Sequence, residues 1–224
     1  MSPALSIAGL EVAGAGGRRL LTVERLAIAP GTLVGIRGPS GAGKTTLLHA
    51  MAGLLDGLRG DLRWGETRLT ALSPAARARW RAATVGMIFQ DFMLFDELDA
   101  LANACAPAMF RPGPERAGLR ARAGALLARL GLPEDGRPVA GFSGGERQRV
   151  AVARALAAEA PVILADEPTA SLDRAAADRL IDDLARLARD GGRTLVAVSH
   201  DPALLARMDR VLTVADGRLQ QGDD

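Results

Sequence analysis

Apolar positions in this chain gather into two kinds of block. Short, nearly continuous apolar runs read as strands buried on both faces: "LVGIRG" (33–38), "ATVGMIFQ" (83–90), "VILAD" (162–166) and "RTLVAVS" (193–199). Others carry helical spacing. "KTTLLHAMA" (44–52) is one, and 143–159 is another, with Val150, Ala153, Leu156 and Ala157 on one face. Residues 97–131 read as mostly helical, interrupted at "RPGPE" (111–115), where Pro and Gly punctuate. "RVLTVADGRLQ" (210–220) places an Asp-Gly turn between two extended runs, a hairpin signal. Buried strands alternating with helices predict an α/β fold with a mainly parallel sheet. The stretch 91–160 reads as a helical insertion on that sheet. No flexible linker divides the chain, so 1–224 is expected to be a single domain.

Composition narrows the class. Of 224 residues 48% are hydrophobic, enough for a core, and no apolar run approaches the length needed to span a bilayer. The N-terminus shows no basic start followed by an apolar block, so no signal peptide is expected. One cysteine, Cys105, cannot form an internal disulfide. Net charge is +2 and the pI about 9.4, but the arginines are scattered among acids. With aromatics at 3% and no Tyr, a nucleic-acid groove is poorly supplied, and no nucleic acid is expected as partner.

Lys44 is the only lysine among 28 Lys and Arg residues, and it lies in "GPSGAGKTT" (38–46). Gly38, Gly43, Lys44 and Thr45 satisfy G-x-x-x-x-G-K-[ST] between an expected strand and an expected helix, the context that a phosphate cradle requires. The backbone from Gly38 through Pro39, Ser40, Gly41, Ala42 and Gly43 would wrap the phosphates at a helix N-terminus, with the N–H groups of every residue but Pro39 free to point inward. Lys44 would reach the β- and γ-phosphates as a slim point charge where arginine's fork is too broad. Thr45 offers a hydroxyl to Mg2+, and Thr46 one to a phosphate. "VILADE" then delivers Asp166 to the end of an apolar strand as a Mg2+ ligand through water, with Glu167 placed to orient or deprotonate attacking water. Gln90 ends a strand with a side chain able to contact Mg2+ and that water. His200 follows another strand, within reach of a γ-phosphate, whereas His49 reads as a structural or surface residue. "FSGGERQ" (142–148) opens a helix with Ser143, Gly144 and Gly145, a second anion-binding device. One triphosphate does not need two cradles from one subunit, so the second is expected to close over a partner's nucleotide.

In this order and spacing, the motifs resemble those of the ATP-binding cassette (ABC) family over essentially the whole chain. "GPSGAGKT" looks like its Walker A, Gln90 its Q-loop glutamine and "FSGGERQ" its signature. "VILADE" looks like Walker B, "SLD" (171–173) the D-loop and His200 the switch histidine. The resemblance implies a P-loop ATPase core with a helical subdomain and a small antiparallel β portion. It implies ATP and Mg2+ as ligands and a head-to-tail homodimer with two ATP at its interface. Asp173 would communicate between the two sites. It also implies a peripheral place at the cytoplasmic face of the inner membrane, driving a separate permease. "LSPAARARWRAATVGMIFQ", "SGGERQRVAVARAL" and "LADEPTASLD" look most like subunits of the lipoprotein-releasing, macrolide-export and cell-division type. Signalling through a membrane partner without transport is the alternative within that group. DNA-repair cassettes carry a long coiled coil, for which 46–142 leaves no room.

Three features depart from or extend the family pattern. "EVAGAGGRRLL" (11–21) lacks the aromatic that usually stacks on adenine, so either adenine recognition is weaker or Arg18 or Arg19 stacks in its place, and base selectivity is expected to be loose. Phe142 and Glu146 replace a common Leu and Gln of the signature. Phe89, Phe92, Phe95 and Phe110 cluster with Met93, Leu94 and Met109, and Phe92, Met93 and Phe95 are expected to dock the permease.

Overall fold

The computed structural model describes residues 2–110, 113–132 and 135–220. Its strands are β1 (Leu5–Ala13), β2 (Arg19–Ile28), β3 (Leu33–Arg37), β4 (Arg59–Trp64), β5 (Thr67–Arg68), β6 (Val85–Ile88), β7 (Val162–Asp166), β8 (Thr194–Val198), β9 (Arg210–Ala215) and β10 (Arg218–Gln220). Its helices are α1 (Lys44–Met51), α2 (Pro74–Thr84), α3 (Ala100–Ala104), α4 (Gly113–Arg129), α5 (Gly144–Ala157), α6 (Arg174–Asp190) and α7 (Pro202–Leu205). Among the described residues the strands form one ten-stranded mixed sheet, ordered β5-β4-β1-β2-β10-β9-β3-β8-β7-β6.

The two halves of that sheet are built differently. In β9-β3-β8-β7-β6 every neighbour is parallel. The strands β6, β7 and β8 are buried at every position, as continuous apolar runs covered on both faces must be. One face, with Val162, Leu164, Val196 and Val198, packs with α1 and the antiparallel strands. The other, with Ile163, Ala165, Leu195 and Ala197, packs with the helices of the 91–160 region and α6. In the remaining half, β1 pairs antiparallel with both β2 and β4. Along β1, Leu5 and Ile7 and then Leu10 and Val12 point inward with period 2, the two runs offset by one residue at Gly9, where φ is +58° and the pairing with β4 shifts register.

Local chemistry corrects several boundaries. The strand expected over 83–90 begins at Val85, because Ala83 and Thr84 end α2. That helix starts where Ser73 accepts a hydrogen bond from the Ala76 N–H at 3.3 Å and Pro74 occupies the first helical position. Residues 91–99 carry no helix. Of the expected break at 111–115, Arg111 and Pro112 lie outside the described residues, as does the side chain of Phe110; α4 starts at Gly113, inside it. The 210–220 hairpin forms as expected, with Arg218 opposite Ala215.

The parallel topology places the ends of four strands together. β3 runs into the glycine-rich loop, β6 into Phe89-Gln90, β7 into Glu167 and β8 into Ser199-His200. Carboxyl ends of parallel strands are where open α/β sheets bind ligands.

Candidate active site

Glycine is required in the first cradle. Gly38 sits at φ +151°, and a Cβ there would lie 1.9 Å from the Val214 carbonyl oxygen on β9. Gly43, at φ +101°, is the N-cap of α1. The loop between them curls so that the Lys44 ammonium, 7% exposed, donates to the carbonyls of Gly38 and Pro39, both at 2.9 Å. A compact ammonium can bridge two carbonyls inside so tight a loop, whereas a planar guanidinium needs a wider seat. Behind the loop, the Gly217 N–H donates to the Ala42 carbonyl at 3.1 Å and the Thr22 N–H to the Gly217 carbonyl at 2.7 Å, tying it to the β9–β10 turn and β2.

In front of the loop lies a cleft of about 640 Å3. Ser40, Gly41, Lys44 and Thr45 line it together with Gln90, Asp166, Glu167 and His200, so the structure brings the expected loop, carboxylate, glutamine and histidine residues to one place. Gly38 and Pro39 contribute carbonyls, Ala42 is buried behind, and Thr46 is half-buried on α1.

Asp166 is 2% exposed, and burial pushes its carboxyl above the usual carboxylate range, with the Thr45 hydroxyl opposing by hydrogen bonding to it. Its Oδ1 has no hydrogen-bond partner. A buried carboxylate oxygen without a partner, in a cleft also lined by the Thr45 hydroxyl and the Gln90 amide, fits a hard cation. Mg2+ in particular is held by one or two carboxylates plus phosphate oxygens and water. Among the described residues no group of three or more His, Cys, Asp and Glu gathers as a dedicated metal cage.

Glu167 adopts φ +46°, a left-handed conformation that a side chain rarely takes. Its N–H donates to the Val198 carbonyl at 2.9 Å, and its Oε2 accepts from the His200 N–H at 3.3 Å and the Ser199 hydroxyl at 3.4 Å. Its Oε1 lies 3.6 Å from His200 Nε2. The strained turn aims the carboxylate across the strand ends into the cleft, beside the histidine.

The second cradle is separate. Ser143 caps α5, accepting from the Glu146 N–H at 3.3 Å, while Glu146 Oε2 accepts from the Ser143 N–H at 2.8 Å, a complete capping box. Ser143, Gly144 and Gly145 line a pocket of about 570 Å3 with Arg149, Ser171, Leu172 and Asp173. None of these residues lines the P-loop cleft. Asp173 belongs to this pocket and caps α6, accepting from the Ala176 N–H at 2.9 Å. The unusual residues of this motif are linked: Arg137 lies 4.4 Å over the Phe142 ring and donates to Glu146 at 2.8 Å.

Several cleft residues carry no motif signal of their own. Thr169, Arg174 and Asp201 line the P-loop cleft. Arg174 donates to both carboxylate oxygens of Asp201, at 3.1 and 3.0 Å, joining the start of α6 to the residue after His200. An arginine after "SLD" and an aspartate after His200 were the only available cues. Arg19, considered for adenine, lines a cleft with Arg25 and Arg218 and lies 3.7 Å from Glu11. Of the expected docking residues, Phe95 is 52% exposed and lines an apolar groove, and Met93 is exposed. Phe92 is half-buried, with Arg147 5.9 Å over its ring.

The family model described as ABC transporter matches residues 21–170. The chain is 45% identical over 204 residues to the uncharacterized ABC transporter ATP-binding protein YbbA of Escherichia coli K12, covering 90% of this chain and 89% of that one. It is 41% identical over 202 residues to the lipoprotein-releasing system ATP-binding protein LolD 1 of Caulobacter vibrioides, covering 90% and 86%. The ATP-binding cassette MJ0796, in a dimeric post-hydrolysis state bound to ADP and Pi, matches at a TM-score of 0.88 and 31% identity over 98% of each chain. With a P-loop cleft, a separate signature cradle and this breadth of similarity, the chain belongs to the ABC transporter family, as an ATP-binding cassette.

Proposed function

We propose that this cassette is the ATP-hydrolysing subunit of a membrane transporter, working as a homodimer in which each ATP is held by the P-loop of one copy and Ser143–Gly145 of the other. The observation that carries this reading is the separation of the two cradles within one chain. MJ0796 is dimeric, and LolD 1 is the ATP-binding protein of a lipoprotein-releasing system, which supports the same assembly here.

In this reading Lys44 leaves its own loop carbonyls for the β- and γ-phosphates, and the loop N–H groups hold the chain of phosphates. Mg2+, held by Thr45, Gln90 and, through water, Asp166, would neutralise charge developing between the β- and γ-phosphates. Glu167 takes the proton of the attacking water, and His200, already beside Glu167, donates to the γ-phosphate. Asp173, at the second cradle, relays closure at one site to the other. The groove around Phe95, flanked by Met93 and Phe92, receives a segment of the permease, which holds the cassette against the inner face of the membrane.

The test is Glu167→Gln. ATP with Mg2+ is expected to drive this variant from monomer to dimer, read by light scattering after gel filtration, while turnover falls at least about a hundredfold. A variant that stays monomeric with ATP bound would remove the sandwich, and one that turns over normally would remove Glu167 as base.

A further inference from the structure

The docking groove is more than apolar. It holds about 890 Å3 and lies between α2, β6 and the start of the helical region. Met87, Phe89, Phe95 and Met109 supply apolar walls, and Arg79, Arg81 and Arg154 stand among them against a single acid, Glu115.

Elsewhere on the molecule many arginines meet carboxylates. Arg129 pairs with Asp183, Arg147 with Asp96, Arg174 with Asp201, Arg189 with Asp209 and Arg207 with Asp182. The groove arginines are held otherwise. Arg154 donates to the backbone carbonyls of Phe92, at 2.7 Å, and of Met93. Arg81 donates to the Gly53 carbonyl at 3.0 Å. Among the described residues neither has a carboxylate within ion-pair distance. Carbonyls satisfy the hydrogen bonds but leave the charge uncompensated in an apolar setting. Burial accordingly pushes the Arg154 guanidinium down to about 10, and burial together with the nearby Arg77 charge lowers Arg81. Such a surface is poorly matched to a wholly apolar helix, because covering it would desolvate two cations without repayment.

We propose that the segment docking here is a short amphipathic helix bearing a carboxylate side chain that sits between Arg81 and Arg154, with its apolar face against Met87, Phe89 and Phe95. This rests on the docking reading above and adds the chemistry of the occupant. The acid supplies orientation as well as affinity. Apolar contact alone leaves a helix free to slide or reverse in an open groove, whereas a buried charge pair fixes one register.

The experiment uses the full chain and three fluorescent helical peptides with the same Leu- and Met-rich face and Glu, Gln or Lys at one central position. Binding is read by anisotropy, and retained ATP binding shows that each variant is folded. The Glu peptide is expected to bind wild type about tenfold tighter than the Lys peptide, and Arg81→Glu to reverse that order. Arg79→Glu serves as a second, more exposed charge reversal and should narrow the gap. Equal binding of all three peptides, unchanged by either reversal, would overturn the acidic occupant and leave the docking reading standing. No binding by any peptide at submillimolar concentration would overturn the docking reading itself and the inference with it. Laurate displacing every peptide and binding more tightly than each would assign the groove to a lipid carboxylate and overturn the helix.

Discussion

The two proposed phosphate cradles both carry glycine at a helix start, but for opposite reasons. In the P-loop the fold itself demands it: Gly38, Gly41 and Gly43 all have left-handed φ, and Gly38 has no room for a Cβ against β9. In the signature cradle the fold demands nothing of the kind. Neither Gly144 nor Gly145 has positive φ. A Cβ at Gly144 would make ordinary contact with Ser171 at 3.5 Å, and one at Gly145 would meet only the tip of Leu172 at 3.1 Å. Within a helix each glycine costs about 0.5–1 kcal/mol relative to alanine. The chain therefore carries two glycines at the start of α5 that its own packing does not require. In the proposed sandwich, a bare backbone there would let the partner's phosphate chain come to van der Waals distance of α5.

Single substitutions can break this contrast. Gly38→Ala is expected to have the largest effect, losing nucleotide binding altogether and costing about 3 kcal/mol or more in urea unfolding, since a backbone carbonyl cannot move aside. Gly144→Ala is expected to leave the isolated chain as stable or more stable, by about 0.5–1 kcal/mol, with ATP binding to the P-loop intact. Its turnover should nevertheless fall about a hundredfold, because a methyl group displaces the partner's nucleotide by an ångström or so. Normal turnover in Gly144→Ala would mean that the second cradle touches no nucleotide.

The same contrast explains what the sequence made legible. Strand-borne chemistry could be read directly: "VILAD" and "LVAVS" are continuous apolar runs, and the residue after each is fixed at the sheet's carboxyl edge. Gln90, Glu167 and His200 therefore land in one cleft. Elements without chemistry drew no such attention. The helix α6 buries Ala177, Leu180, Ile181, Leu184 and Ala188 at regular helical spacing, and α2 opens on "SP", yet neither carries a residue of the phosphate-binding motifs. Arg174 lines the cleft only because α6 packs where it does, a tertiary fact. The groove arginines are equally invisible in sequence, where Arg81 and Arg154 look like any others in an arginine-rich chain. Partial burial against backbone carbonyls, with no carboxylate beside them, is what distinguishes them in the structure.

Asp166 offers a sharper measure of what the P-loop side gives up for its ligand. Burial raises its carboxyl, so the charged form weakens the folded chain at neutral pH, and stability is gained as pH falls through the raised value. Asp166→Asn is therefore expected to melt later than wild type at pH 7.5, by about 1 kcal/mol, with the two converging as acid neutralises the wild-type carboxyl. ATP turnover with Mg2+ should be lost in the variant. A wild type that melts later than the variant at pH 7.5 would show that Asp166 is compensated inside the chain, leaving no vacancy for a cation.

The smallest expected effect concerns the other cradle. Hydrogen bonding from the Ser143 N–H, then the Arg137 charge, hold the Glu146 carboxyl below its usual range. A depressed folded value means the capping box is fully formed above the ordinary glutamate range and loosens as pH falls through that lowered value. Glu146→Gln keeps the capping geometry but gives up the exposed ion pair with Arg137, so a loss of a few tenths of a kcal/mol is expected at pH 7. That gap should close on acidification. The substitution also removes a negative charge from the helix end that receives phosphate in our reading. Glu146→Gln should therefore dimerise with ATP at a severalfold lower protein concentration than wild type, despite its slightly weaker cap. Tighter association together with lower monomer stability would separate the two duties of this helix start, which a purely structural cap cannot do. Weaker association would mean that Glu146 assists closure, through Arg137 and the Phe142 ring, instead of opposing it.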